Sequence, residues 1–128
     1  MLFRSCPADR YQQAQVLQWL FFEQYSHEPY IATSRYVMKF LGSPPQRQAD
    51  LERWRAPGYA ALAIMDQHLE SHRFFVADRY TIADIALYAY THVAHEGGFD
   101  LSRFPALRAW LERVAAQARH IPMTYQEI

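Results

Sequence analysis

The stretch Tyr80-Thr81-Ile82-Ala83-Asp84-Ile85-Ala86-Leu87-Tyr88 combines several independent signals for the start of a helix. Thr81 is a preferred N-cap residue, and we expect its hydroxyl to accept a hydrogen bond from the backbone amide of Asp84. The Asp84 carboxylate can reach back to the amide of Thr81, which makes a capping box with Asp in place of Glu or Gln. Tyr80 and Ile85 occupy the two positions of a hydrophobic staple. These signals predict that Thr81 caps a helix beginning at Ile82.

The residues after the box indicate that this helix is buried. No Asp, Glu, Lys or Arg occurs between Ile85 and Val93, and a helix that is apolar nearly all round belongs in a core. The first amides of a buried helix cannot reach water, so side chains must satisfy them. Thr81 and Asp84 are therefore predicted to be structural, and a catalytic role for Asp84 is the disfavoured alternative.

Hydrophobic periodicity predicts five helical stretches and no alternating strand pattern. They are residues 9–26 with Asp9 as cap, 30–41 after an interruption at Pro29, 46–71 with a kink or break at Pro57-Gly58, 82–95, and a last helix opened by Pro105 that buries Leu107, Leu111, Val114 and Ala118. Helix-breaking residues lie between some of these stretches, at Gly42-Ser43-Pro44-Pro45 and at Gly97-Gly98. The fold class is therefore all-α, a bundle of five to six helices.

The first predicted helix carries two apolar stripes, Ala14-Leu17-Phe21-Tyr25 and Val16-Trp19-Phe22. Two stripes suggest burial on two sides, one against the bundle and one against a partner domain or subunit. An isolated bundle covers only one stripe, and an exposed apolar patch marks an interface. We expect Trp19, Phe22 and Tyr30 to form that exposed patch.

The composition agrees with one compact domain in a chain of 128 residues, of which 51% are hydrophobic and 16% aromatic. Thirteen basic and thirteen acidic residues balance, so no overall field favours nucleic acid or an anionic membrane as partner. No apolar run is long enough to cross a bilayer. The single cysteine, Cys6, cannot form an internal disulfide, so we expect a cytoplasmic protein. A tail of residues 1–8, a domain of residues 9–123 and a tail of residues 124–128 are the expected divisions.

The box and its surroundings resemble the C-terminal helical domain of the glutathione S-transferase family. A Phe-rich turn followed by Ser/Thr-x-x-Asp at a buried helix start is typical of that domain, and here the pattern runs from Phe74 to Tyr90. The resemblance continues upstream in residues 16–22 and downstream in residues 97–101 and 104–114. It covers residues 9–123, with one departure, because the family usually has Gly where this chain has Ala77.

The resemblance implies a division of labour between two domains. In the family, an N-terminal thioredoxin-like domain binds and activates glutathione, and subunits pair as two-fold dimers through the first long helices. Only residues 1–8 precede the first predicted helix, so we expect this chain to be the helical half alone. It is then inactive by itself, binds no cofactor alone, and has the thioredoxin-like domain and a second copy as partners.

Two functions follow from the resemblance. In the first, the domain supplies the apolar site for a small hydrophobic electrophile to which the complete protein conjugates glutathione, its co-substrate. The corresponding positions here are Phe22, Tyr25, Ser26, Tyr30 and Arg35; the alternative is that these aromatic residues belong to the core or to an interface. In the second, the domain is a non-catalytic interaction or dimerisation module, as similar domains are in translation factors and synthetase assemblies.

Other candidate sites in the sequence are weak. His68 and His72 stand four apart, and His92 and His95 stand three apart, spacings that can ligate zinc on a helix. No HExxH motif or Cys pair accompanies them, so we predict no metal site. Arg53-Trp54-Arg55 could hold an anion but is better interpreted as a solvated helix side with a Trp anchor.

Overall fold

The computed structural model describes residues 5–118 and 120–123. Within them the chain forms five α-helices and no strand beyond a single bridge between Val76 and Arg79. The helices are α1 (Arg10–Phe22), α2 (Glu28–Arg35), α3 (Gln48–Leu69), α4 (Ile82–Thr91) and α5 (Pro105–Ala115). Two π-helical segments, Glu23–His27 and Tyr36–Phe40, follow α1 and α2, and 3₁₀ turns occur at Pro45–Arg47, Ala94–Gly97 and Leu101–Arg103. The predicted all-α fold is confirmed.

A single helical path runs from Arg10 to Phe40 through α1, α2 and the two π segments. Asp9 caps it as predicted, since its carboxylate accepts a 2.9 Å hydrogen bond from the amide of Gln12. The predicted interruption at Pro29 is wrong, because Pro29 lies in the first turn of α2, where a missing amide hydrogen costs little. The backbone changes register at His27, the last residue of the π segment, with φ −113°.

Helix α3 passes through Pro57 without a break. The neighbouring Gly58 is buried, and a Cβ at that position would lie 2.5 Å from the ring of Phe99. The glycine therefore serves close packing between α3 and the segment after α4. The break that Pro57-Gly58 suggested does not form.

Helix α4 is shorter than predicted and less uniformly buried. It ends at Thr91, and a 3₁₀ turn then leads to Gly98, whose φ of 81° reverses the chain. Leu87 is fully buried, whereas Ile85 is 47% exposed. The absence of charge therefore identified a helix at the centre of the bundle, but it overstated how much of that helix is covered.

Helix α5 begins with Pro105 in its first turn and buries Leu107, Trp110 and Val114. Of the other positions predicted to be buried, Leu111 is partly buried, whereas Ala118 lies beyond the end of the helix and is exposed. No helix in residues 5–118 and 120–123 has both the length and the hydrophobicity that crossing a bilayer requires.

Asp84 joins three parts of the core. Both arms of the predicted capping box are present, and the Asp84 carboxylate accepts the amide of Thr81 at 2.9 Å. The same carboxylate also accepts the amide of Phe75 at 3.2 Å and the indole Nε1–H of Trp110 at 2.9 Å. Burial raises the pKa of the Asp84 carboxyl, and the hydrogen bonds to it act in the opposite direction. Of these three donors to Asp84, the sequence predicted the Thr81 amide but not the Phe75 amide or the Trp110 indole.

Candidate ligand groove and interface surface

The five residues assigned to a ligand site from the sequence are spread along α1 and α2. Phe22 is partly buried, with its ring edge-on to Trp19 at 5.2 Å between centroids, whereas Tyr25 is 83% exposed. Ser26 and Tyr30 are partly buried. Of the five, Arg35 lines a cavity together with aromatic and other charged residues, and the other four do not line that cavity. The structure thus does not bring the five side chains into one cavity.

That cavity is an open groove of about 500 Å³ between α2, the following π segment and the start of α3. We call it the α2 groove. Its aromatic lining consists of Tyr36, Phe40, Trp54 and Tyr90, and its charged lining consists of Glu28, Arg35 and Arg47. Tyr36 and Phe40 are 55% and 61% exposed, so their rings are available to a ligand. Aromatic walls with a few charged groups are typical of small-molecule sites.

A first ion-pair cluster borders the α2 groove. Glu96 accepts hydrogen bonds from Arg35 Nε at 2.6 Å and from Lys39 Nζ at 2.8 Å, so one carboxylate serves two cations. These hydrogen bonds lower the pKa of Glu96 to about 2. The Arg35 guanidinium also lies 5.3 Å from the ring centroid of Phe40, which orients it against the groove wall.

A second cluster, again of two cations that share one carboxylate, lies at the start of α3. Asp50 accepts hydrogen bonds from Arg47 Nε at 2.7 Å and from Arg53 at 2.6 Å. The Arg47 guanidinium is 5.8 Å from the ring centroid of Trp54. Arg47 therefore stays beside the groove with its Nε bonded to Asp50.

Sequence reasoning missed most of the groove because four of its five candidate residues come from earlier in the chain, at residues 22–30. The pair Tyr36 and Phe40 stands four residues apart, a spacing that puts two rings on one helical side and could have indicated the groove. In the Arg53-Trp54-Arg55 segment, Trp54 lines the groove. Arg55, which was expected on a solvated helix side, is partly buried. Its guanidinium donates to the carbonyl of Gly97 at 2.9 Å and lies 4.5 Å from the ring centroid of Phe99.

An exposed apolar stripe runs along α1 and is the second feature of functional interest. It consists of Leu17, Phe21 and, in the π segment that follows, Tyr25, which are 53%, 71% and 83% exposed and stand four residues apart. The expectation that Trp19, Phe22 and Tyr30 would be exposed is therefore wrong, since all three are partly buried.

The orientation of α1 explains which stripe is covered. Val16 is buried, and the Trp19 ring packs against Phe75 at 4.6 Å and against His68 at 4.9 Å between centroids. Both contacts come from segments distant in the chain, and these segments select the Val16 side of α1 as the core side. The sequence predicted two stripes but carried no signal for which one would be covered.

A buried histidine connects the first π segment to α4. His27 Nε2 lies 2.8 Å from Thr91 Oγ1, and that hydroxyl donates its one proton to the carbonyl of Leu87. Thr91 Oγ1 must therefore accept, which makes Nε2 the donor and fixes the proton position on the ring. The other ring nitrogen, Nδ1, has no hydrogen-bond partner among the described residues and lies 3.8 Å from a carboxylate oxygen of Glu23.

The histidine pairs do not form a metal site in the described residues. The rings of His68 and His72 stack in parallel with centroids 4.2 Å apart. A ring nitrogen of His68 lies within hydrogen-bond distance of the Phe75 carbonyl, and a ring nitrogen of His72 lies within hydrogen-bond distance of the His68 carbonyl. Burial lowers the pKa of His68. No group of three His, Cys, Asp or Glu side chains suited to a metal ion occurs in residues 5–118 and 120–123.

Known proteins share both the sequence and the fold. The family model of the glutathione S-transferase C-terminal domain matches residues 15–118. A crystal structure of a glutathione S-transferase from Pseudomonas fluorescens is 49% identical, with a TM-score of 0.93, over 95% of this chain and 61% of that chain. Among curated proteins, the disulfide-bond oxidoreductase YfcG of Escherichia coli is 25% identical over 107 residues, 83% of this chain and 48% of that protein.

A further relative has a different kind of function. Elongation factor 1-gamma-A of Xenopus laevis is 32% identical over 78 residues, which are 61% of this chain and 17% of that protein. The chain thus spans about half the length of the Escherichia coli relative and a much smaller part of the elongation factor. Because the family model covers most of its length, the chain belongs to the glutathione S-transferase family, as a C-terminal helical domain.

Proposed function

We propose that this chain is the helical domain of a glutathione S-transferase that, as a complete protein, conjugates glutathione to a small hydrophobic electrophile. The observation that carries the proposal is the α2 groove, an aromatic-walled cavity of about 500 Å³ in a domain of this family. The exposed rings of Tyr36 and Phe40 suit an apolar co-substrate better than a polar one.

The proposed chemistry divides between domains. Conjugation requires a thiolate, because the thiolate and not the thiol is the nucleophile. In the proposal, a thioredoxin-like domain binds glutathione and activates its thiol, while the helical domain holds the electrophile and excludes water around it. Residues of the α2 groove would then lower the KM for the electrophile without changing the ionisation of the thiol.

The five residues assigned from the sequence enter this proposal in different ways. Arg35 would contact the ligand, since it lines the α2 groove. Phe22, Ser26 and Tyr30 are partly buried about one and a half to three and a half turns earlier, so they would border the site from the α1 end. Tyr25 is almost fully exposed and would meet the ligand or the partner domain only in the complete protein.

The proposed partners are a second copy of the chain and the thioredoxin-like domain. The exposed stripe on α1 supports this, because three large apolar side chains in one row favour burial against another protein surface. A two-fold dimer places the same stripe on both subunits. A cytoplasmic location is part of the same proposal.

The test uses the full-length gene product. We expect it to be retained on glutathione-agarose and to conjugate glutathione to 1-chloro-2,4-dinitrobenzene, whereas the 128-residue chain alone shows no turnover. In the full-length protein, Tyr36→Ala should raise the KM for the electrophile several-fold and leave the KM for glutathione unchanged. Ile64→Ala removes a side chain of similar exposure outside the groove and is the matched control. Equal effects of the two variants on the electrophile KM would contradict the site assignment.

The alternative function is a non-catalytic interaction module. The similarity to elongation factor 1-gamma-A and the exposed stripe on α1 favour it, since neither depends on the groove. Full-length protein that neither binds glutathione-agarose nor conjugates any electrophile, yet forms a complex abolished by Phe21→Ser, would support the module over the transferase.

A further inference from the structure

The two ion-pair clusters beside the α2 groove each carry an uncompensated positive charge. In the first cluster two cations, Arg35 and Lys39, share the carboxylate of Glu96. In the second, Arg47 and Arg53 share Asp50. Each group of two cations and one carboxylate has a formal charge of +1, and both groups contribute an arginine to the groove wall.

The remaining charged residue of the groove lies at its other end. Glu28 precedes Phe40 by twelve residues on the helical path from Arg10, about 18 Å at 1.5 Å per residue. The Arg35 guanidinium lies against Phe40, so the excess positive charge lies at the Phe40 end of the groove. The α2 side of the groove therefore carries Glu28 at one end and the Arg35 guanidinium beside Phe40 at the other.

The two arginines differ in what they can offer a ligand. The Arg35 side chain is 13% exposed, bonds Glu96 through Nε, and directs Nη2 to the sulfur of Met123 at 3.5 Å. Arg47 is 35% exposed and uses Nε for Asp50. Its terminal amino groups have no hydrogen-bond acceptor among the described residues, so they can donate to an acidic group in the planar, forked geometry that carboxylates and sulfonates accept.

We propose that the α2 groove selects ligands that combine a flat aromatic body with one acidic group, and that Arg47 is the residue that recognises the acid. The aromatic body lies against Tyr36 and Phe40, and the acid lies at the terminal amino groups of Arg47. This inference rests on the proposed ligand site, and it adds a charge preference that a purely hydrophobic electrophile site would lack.

The test compares two fluorescent probes with the same aromatic skeleton, 8-anilinonaphthalene-1-sulfonate and the neutral N-phenyl-1-naphthylamine, titrated into the protein at 0.15 M salt. We expect Arg47→Gln to raise the Kd of the sulfonate about fivefold and to leave the Kd of the neutral probe within about twofold. Arg53→Gln is the matched control, because Arg53 bonds the same carboxylate but does not line the groove. It should change neither Kd by more than about twofold, since the side chain is 69% exposed and screened by salt.

Two further variants keep the test decisive. Arg47→Lys retains the charge but loses the forked donor pair, so it should fall between wild type and Arg47→Gln in sulfonate affinity. Tyr36→Ala should weaken both probes, which places them in the groove. Thermal melts of each variant confirm that the fold is kept.

Two other outcomes would separate the charge preference from the proposed ligand site. If the neutral probe binds in the groove and Arg47→Gln weakens both probes equally, the charge preference is overturned and the proposed site stands. If Tyr36→Ala affects neither probe, the groove is not a ligand site, and both proposals on this site fail together.

Discussion

The surroundings of Asp84 and the helical path from Arg10 to Phe40 are built in opposite ways. Asp84 is fully buried and its carboxylate satisfies donors from Thr81, Phe75 and Trp110. The helical path carries π segments, large exposed side chains, and a buried ring nitrogen of His27 that has no hydrogen-bond partner in residues 5–118 and 120–123. One region is complete within the described chain, and the other presents surfaces that nothing in the described chain covers. This contrast predicts that stability depends on the first region and that recognition depends on the second.

The largest expected effect is at Asp84. Asp84→Ala should lower the free energy of unfolding by about 3 kcal/mol, because it leaves three buried donors without an acceptor. Urea denaturation followed by circular dichroism measures it. Asp66→Ala is the control, since Asp66 accepts a single described donor, the amide of Leu107, in a partly buried position. We expect a cost of about 1 kcal/mol there. Equal costs for both variants would contradict the special role of Asp84.

The second effect tests packing on α3. Gly58→Ala should cost about 2 kcal/mol, because the added Cβ meets the Phe99 ring at 2.5 Å and overpacks the core. Phe99→Leu introduced with it removes the clash, so the double variant should lose less than the sum of the single variants. Additive losses in thermal melts would show that the ring is not the obstacle.

A smaller, stabilising effect is expected at Ala77. Ala77 and Asp78 have φ values of 56° and 47°, in the left-handed region that favours glycine. Ala77, where the resemblance leads us to expect Gly, is therefore a strained residue in this turn. Ala77→Gly should therefore raise the free energy of unfolding by about 0.5–1 kcal/mol. Asp78→Gly should not, because it loses the hydrogen bond from the Arg73 amide to Oδ1 of Asp78. A lower melting temperature for Ala77→Gly would refute the argument.

Glu96 should make stability depend on pH in a defined direction. Its folded pKa of about 2 lies below the ordinary value of 4.5, so its stabilising contribution is complete above pH 4.5 and is lost as the pH falls through 2. Because the ion pairs are partly solvated, we expect a contribution of about 0.5 kcal/mol. The difference in unfolding free energy between wild type and Glu96→Gln should shrink between pH 6 and pH 2.5. A constant difference across that range would rule the ion pairs out as its source.

The smallest effect on stability, and the largest on assembly, is expected on the exposed stripe. Phe21→Ser should change the free energy of unfolding by less than about 0.5 kcal/mol, since Phe21 is 71% exposed. It should reduce the self-association that we expect of the wild-type chain. Leu41→Ser, 41% exposed and outside the stripe, is the control. Sedimentation velocity over a hundred-fold concentration range decides the matter, and a constant wild-type mass near 15.1 kDa would show that the stripe does not pair two copies.

How well the sequence predicted the fold depended on how local each signal was. The cap at Asp9, the box at Thr81 and the first-turn Pro105 are set by residues within one helical turn, and all three were correct. Pro29 and Pro57 predict interruptions, but the first lies in the opening turn of α2 and the second lies inside an unbroken α3. Local signals do not carry that information.

The candidate site was less predictable for the same reason. Arg35 was identified, but the groove also needs Trp54 from α3 and Tyr90 from α4, which only the folded bundle brings near α2. The covered side of α1 was likewise decided by Phe75 and His68, residues distant in the chain. A sequence pattern can show that a helix has two apolar sides, but not which side the rest of the molecule covers.

The π segments at Glu23–His27 and Tyr36–Phe40 have a consequence for how this domain can change. Each π turn amounts to one residue inserted into an α-helix, and one residue corresponds to about 100° of rotation around the axis. The segment at Glu23–His27 therefore sets the angular phase between the α1 stripe and the α2 groove. Substitutions can alter the chemistry of either surface, but only an insertion or a deletion in this segment can turn one surface relative to the other.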